Sequence, residues 1–220
     1  MSSKQTSPQA SGRKPGRPKS AAKCKQIIDA AACLFLQSGL SGTTMDQVAN
    51  RAGVSKQTLY SHFSNKEMLF QAVIHGKLAQ YQLDDPHEQQ QDLCFEDIMR
   101  RLAYQFIELL LDEDVIAMHR VVIGEVQQSP QVAALFFQAG PEQSAKMVGQ
   151  IMQKQPDFQL SEQEAMWLTL AFLNLLKGDY HLRSLLGLEF SMSKQKKEHL
   201  VDFAVKNLMH MLKPYLRAQQ

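Results

Sequence analysis

TMDQVANRAGVSKQTLYSHFSNK, residues 44–66, decides how this chain reads. Apolar side chains recur at Met45, Val48, Ala49 and Ala52, and again, beyond Gly53, at Val54, Leu59 and Phe63. Spacing of three and four on both sides of a break predicts two short helices joined by a tight corner. Gly53 tolerates the positive φ that such a corner demands, and the small Ala49 lets the two helices approach closely. Thr43/Thr44 and Ser55 stand where helix N-caps belong. Val54 and Leu59 seat the second helix on its neighbours. This is helix-turn-helix grammar. The outward residues of the second helix are Ser55, Lys56, Gln57, Thr58, Tyr60, Ser61 and His62. Nearly all carry hydrogen-bond donors and none is acidic, which suits the donors and acceptors on base edges in a major groove. The alternative is an ordinary solvated helical hairpin, whose outer face usually includes Asp or Glu.

Working outward, Ile27, Ile28, Ala31, Leu34 and Phe35 mark a preceding helix over about residues 20–38, with Gly39 as its stop. Asn65 caps a fourth helix that fades near Leu83, and the polar stretch 84–92 reads as a loop. Further helices are expected near 94–112, 114–127, 130–139 and 141–154, with Ser129-Pro130 and Gly140-Pro141 as breaks. Ser161 and Glu164 form a capping box for a long helix to about Leu186, bent at Gly178. Ser193 caps a last helix to about residue 215. The expected fold is all-α: an N-terminal three-helix helix-turn-helix head plus a larger helical-bundle body. The chain divides into a disordered basic arm (1–19), a DNA-binding domain (20–66) and a ligand-binding and dimerisation domain (67–220).

Charge supports that division. Of 220 residues with net charge +2, residues 1–66 hold ten Lys/Arg against Asp29 and Asp46 alone. The remainder holds fourteen basic and twenty acidic residues. A basic head on an acidic body fits a polyanion partner at the head only; a solvated basic tail without a partner has the same pattern. Cys24, Cys33 and Cys94 lack metal-ligand spacing and read as free thiols. The seven His are scattered, so no metal and no cofactor is expected. The apolar run 166–176 is about half of the roughly 20 residues that span a bilayer, and no membrane partner is expected. P-loop, HExxH and G-x-S-x-G motifs are missing, which argues against an enzyme.

The run GTTMDQVANRAGVSKQTLYSHFSNKEMLF resembles the DNA-binding head of the TetR family of bacterial regulators, over about residues 22–75. The segment 119–142 (HRVVIGEVQQSPQVAALFFQAGPE) is similar to a subgroup of that family. The resemblance implies a homodimer, a variable ligand-binding body, and a cytoplasmic protein associated with the nucleoid when bound. By the same resemblance Thr44, Tyr60, His62 and Lys66 contact phosphates, while Lys56, Gln57 and Thr58 read bases. Many relatives have Gly at the position of Gln57. In the arm, GRKPGRPK (12–19) places Arg17 in a Gly-Arg-Pro core that resembles an AT-hook lying in a narrow minor groove. A purely electrostatic arm is the alternative.

In the body, the last helix carries one apolar stripe at Val201, Ala204, Val205, Leu208 and Leu212, and a second at Leu200, Phe203 and Met211. The long helix before it is apolar nearly all round, Phe172 and Leu175 included. Two apolar sides need two covers, so Phe172, Leu175, Leu200, Phe203 and Met211 are expected in a dimer seam. A central helix in a monomeric bundle is the competing arrangement. Met and aromatic residues fill ordinary cores but also line pockets for apolar or amphipathic ligands; Tyr104, His119, Met147, Trp167 and Asn174 are the expected ligand residues. The function expected is a ligand-responsive repressor that binds a palindromic operator as a dimer. An architectural DNA-binding protein of low specificity and an activator of the same fold are the alternatives.

Overall fold

The structure is a computed structural model that describes residues 21–83 and 93–217. The basic arm with Arg17 and the stretch 84–92 lie outside the described residues. Among the described residues ten α-helices follow one another: α1 Ala21–Gly42, α2 Met45–Arg51, α3 Lys56–His62, α4 Lys66–Gln80, α5 Phe95–Leu111, α6 Glu113–Glu125, α7 Pro130–Phe137, α8 Gln143–Gln153, α9 Glu162–Leu186 and α10 Lys194–Leu212.

Local chemistry sets most of the starts. Side-chain oxygens of Thr44, Ser55, Asn65, Asp112, Ser161 and Ser193 accept from backbone N–H groups in the first turns of α2, α3, α4, α6, α9 and α10, satisfying donors that a helix leaves open. The α1 rod breaks at Gly39, where φ is 71°. A side chain there would be strained, and its Cβ would also collide with Glu125 Oε1 of α6. Gly178 bends α9 as its position in the sequence suggests (φ 52°). Gly140-Pro141, by contrast, does not end a helix. A π-helical turn over Gln138–Glu142 carries the chain from α7 straight into α8. The wider turn accommodates a residue that has no N–H to donate.

Two cores result. In the first, Ile27, Phe35, Val48, Leu59, Leu69 and Phe70 pack together, and Met118, Val122 and Val132 of α6 and α7 join them. Phe35 meets Phe70 edge to face, ring centroids 5.4 Å apart. A boundary at residue 66 therefore cuts at the first residue of a helix whose apolar face completes the head. The second core is built from α5, α8, α9 and α10, centred on Met99, Ile107, Met152, Phe172 and Leu208.

The two-sided reading of the last helices needs one correction. Val201, Ala204, Val205, Leu208 and Leu212 of α10 are all fully buried within the protomer, and so is Phe172 of α9. Phe172 thus belongs to the body core and has no surface for a seam. Leu175, Leu200 and Met211 are half-buried against the same core, while Phe203 stays exposed on α10 and Trp167, Leu170, Leu182 and Leu186 stay exposed on α9.

Replacing Phe35 by Ala is expected to cost about 3–5 kcal/mol, because the cavity left between α1 and α4 cannot collapse. Ser161→Ala, which removes only a capping box, should cost about 1 kcal/mol. Urea denaturation of the two variants beside the parent protein checks both size and order.

Candidate nucleic-acid interface and body cavity

α2 and α3 are each seven residues long, too short to persist alone. They are held by their caps and by ties to neighbouring helices. Thr44 Oγ1 accepts from the Gln47 N–H (3.2 Å), and Gln47 Oε1 accepts from the Thr44 N–H (2.8 Å). Ser55 Oγ accepts from the Thr58 N–H at 3.1 Å. Buried Thr43 donates its hydroxyl to the Gly39 carbonyl at 2.7 Å. Arg51 of α2 donates to Cys33 Sγ of α1 at 2.7 Å.

The face expected from sequence is present on α3. Ser55, Lys56, Gln57, Tyr60 and Ser61 are exposed; Thr58 and His62 are half-buried. Leu59 is fully buried beneath them and Phe63 nearly so, which holds the face outward. Ser61 donates its hydroxyl to the Thr58 carbonyl at 2.8 Å. Thr44 lies exposed at the start of α2.

Two cations are less free than the sequence suggests. Lys56 Nζ lies 2.7 Å from Asp46 Oδ2 of α2, so the face is free of acids along its own helix but not across the corner. That hydrogen bond and the carboxylate charge hold the Lys56 ammonium above its usual range. Lys66 Nζ donates to the Thr43 carbonyl at 2.8 Å, tying α4 to the turn that launches α2. Neither contact is readable from helix spacing, since each joins residues on different elements.

A cavity of about 1680 Å³ lies between α1, α4, α5, α6, the end of α7, the π turn, the start of α8 and α9. His119 and Asn174 line it as expected. Tyr104, Met147 and Trp167 do not. Tyr104 and Met147 belong to the body core, and Trp167 is 61% exposed on another side of α9. Sequence reasoning missed Lys177 and His181, which also line the cavity. Lys177 stands three residues from Asn174 on the same helix face, which was the available signal; His181 lies beyond the Gly178 break, where helical spacing no longer counts.

His119 Nδ1 lies 2.8 Å from the Val115 carbonyl, and the ring meets Phe136 and His181 edge to face at 4.8 and 5.2 Å. Burial, and to a lesser degree the Lys177 charge, pull the His119 imidazole below its usual range. Burial, His119 and Lys177 together push His181 down to about 4, and its Nδ1 is buried without a hydrogen-bond partner. A polar knot closes the α4 end. Lys77 Nζ bridges Asp112 and Asp114 at 2.9 and 3.1 Å, and the Tyr81 hydroxyl donates to Asp112 at 2.6 Å. Burial alone would raise the Asp112 carboxyl, but Tyr81, Lys77 and the Val115 amide hold it low. Among the described residues, no group of three or more His, Cys, Asp or Glu is placed to hold a metal ion. No helix among them is long and apolar enough to cross a membrane.

The imidazoles have a signed consequence for stability. Above pH 6.5 His181 is neutral both folded and unfolded and contributes no pH dependence. Between 6.5 and about 4 the unfolded chain binds the extra proton, so stability falls as pH falls. Denaturation midpoints from pH 7.5 to 5 should decline, and His119→Gln/His181→Gln should flatten that decline.

Comparison with known proteins agrees with this geometry. The family model for bacterial regulatory proteins of the tetR family matches residues 27–73. The model for the C-terminal domain of AefR-like transcriptional repressors matches residues 97–212. YhgD of Bacillus subtilis (strain 168), an uncharacterized HTH-type transcriptional regulator, is 29% identical over 114 residues, 52% of this chain and 56% of that protein. The HTH-type transcriptional regulator TtgR of Pseudomonas putida is 36% identical over 94 residues, 40% of this chain and 42% of its own. The chain thus spans about half the length of these curated relatives. Among solved structures, the flavonoid-responsive regulator FrrA is similar over 87% of this chain and 97% of its own, with a TM-score of 0.66 and 29% identity. A head matched over its helix-turn-helix and a body matched over α5 to α10 make this chain a member of the TetR family of bacterial regulatory proteins.

Proposed function

We propose that the chain is a ligand-responsive repressor that binds a palindromic operator as a homodimer. One observation carries this reading: the helices that wall the body cavity also hold the DNA-facing head. α4 lines the cavity through Val73, Ile74 and Lys77 while Leu69 and Phe70 complete the head core. α6 lines it through Val115, Met118 and His119, and its last residue, Glu125, accepts from the Ser41 N–H and hydroxyl at 3.2 and 2.9 Å. A ligand that fits the cavity better in one arrangement of α4 and α6 than in another shifts the head by that differential affinity. Repression is supported by the AefR-like repressor match, and a small-molecule effector by the flavonoid response in FrrA's name.

At the operator, Lys56, Gln57 and Thr58 are the proposed base readers. Thr44, Ser55, Tyr60, Ser61, His62 and Lys66 are the proposed backbone contacts, with Arg17 of the arm in or near the minor groove. Lys56 exchanges Asp46 for nucleic acid at little cost, because the pair is exposed and screened. Two-fold binding needs a dimer to set half-site spacing, and exposed Phe203, with half-buried Leu175, Leu200 and Met211, forms the proposed seam.

Gln57→Ala/Thr58→Ala/Tyr60→Ala should leave the fold intact and abolish preference for the operator over unrelated duplex in a competition titration. Parent-protein affinity for the operator should fall about 10³–10⁵-fold between 50 and 200 mM salt if roughly 6–10 phosphates are neutralised. A specificity ratio near one in the parent protein would favour an architectural role instead. Sedimentation showing a monomer at micromolar concentration would reject the dimer. Glu125→Ala should lower operator affinity while costing less than about 1.5 kcal/mol of stability, since the lost hydrogen bonds are exposed.

A further inference from the structure

The charged groups around the cavity are unequally matched. Lys25 pairs with Asp29 at 2.9 Å, Lys77 with Asp114 at 3.1 Å and Lys146 with Glu142 at 2.7 Å, all six on the cavity wall. Lys177 also lines it, half-buried, and no carboxylate among the described residues pairs with it. A cavity-lining lysine without a protein counter-charge is open to an anionic group of a ligand. Beside it sit His119 and His181. The Nδ1 of His119 faces the Val115 carbonyl, which assigns the proton to that nitrogen and leaves Nε2 a bare acceptor. Nδ1 of His181 has no partner. The same end of the cavity therefore lacks one negative charge and offers one acceptor nitrogen, His119 Nε2, since His181 Nδ1 is sealed from the cavity space. Elsewhere the wall is apolar, with Ile28, Phe106, Met118 and Leu173.

Resting on the reading of the cavity as the effector site, we infer that the effector is an amphipathic acid: an apolar body whose acidic oxygen lies against Lys177, beside the imidazole of His119. Ionised, that oxygen supplies the charge that Lys177 lacks; protonated, as in a phenol, it donates to His119 Nε2 and accepts from the Lys177 ammonium. A purely apolar ligand does neither, and a cationic one is repelled by Lys177.

The test uses N-phenyl-1-naphthylamine as a neutral fluorescent occupant of the full-length protein, displaced by three competitors of one shape: 2-naphthoate, 2-naphthol and 2-naphthamide. Naphthoate, or naphthol if a phenol is the preferred acid, should displace the probe about 10–100-fold more effectively than the amide, the size of one charge-assisted contact. Lys177→Met should erase that preference and leave amide binding unchanged. Lys177→Arg should keep it, and so should Lys146→Met, which removes a wall cation already matched by Glu142. Equal displacement by acid and amide, or a preference that survives Lys177→Met, would overturn the acid assignment and leave the effector cavity standing. Failure of the probe and of all three competitors to bind, by fluorescence and by calorimetry, would overturn both.

Discussion

The edge-to-face contact of Phe35 on Phe70 joins α1 to α4, and most of the molecule's organisation follows from that joint. α4 is the continuation of the head: its first half closes the core under α3, and its second half walls the cavity. A helix that belongs to both parts cannot move in one without being felt in the other, because close-packed side chains transmit displacement rather than absorb it. The Lys66 bond to the Thr43 carbonyl adds a directional tie at the point where α4 passes the root of α2.

α6 makes a second, independent link, and its polar residues sit at three junctions. His119 faces the cavity. Arg120 donates to the Ser184 and Leu185 carbonyls at the end of α9, where a cation is favoured by the exposed carbonyls of a helix terminus. Glu125 holds the turn after Gly39. That turn is open to the carboxylate because glycine leaves no Cβ in its way. α6 therefore touches the proposed effector site, the bent helix α9 and the base of the head within two turns of its length. This gives the proposed switch a rigid element rather than a loop to act through.

The outward face of α3 shows how a small head manages its donors. Hydroxyls that build the corner face inward or along the chain: Thr43 to Gly39, Thr44 to Gln47, Ser55 to Thr58. The residues left outward on α3 are Lys56, Gln57, Tyr60 and Ser61, mounted on buried Leu59. Asp46 beside Lys56 holds the lysine's position and shields it in the absence of a polyanion. An exposed pair of this kind gives way readily to a phosphate lattice, whose binding also releases counterions.

Caps, corners and periods are local, and sequence determined them by itself. The starts of α2, α3, α4, α6, α9 and α10, the stop at Gly39, the bend at Gly178 and the outward set on α3 all follow from residues within about four positions of one another. The membership of α3 in a helix-turn-helix followed for the same reason. Only the tertiary structure decided which side of an evenly apolar helix faces the core. Phe172 and Trp167 lie on the same hydrophobic α9, yet one is sealed and the other exposed, and spacing cannot distinguish faces when every face is apolar. It alone turned the Gly140-Pro141 break into a π turn, brought Asp46 to Lys56 and Glu125 to Ser41, and gathered His119, Lys177 and His181 at one end of a cavity. Each of those outcomes depends on how separate helices pack, and packing is settled by the whole fold rather than by any one stretch of chain.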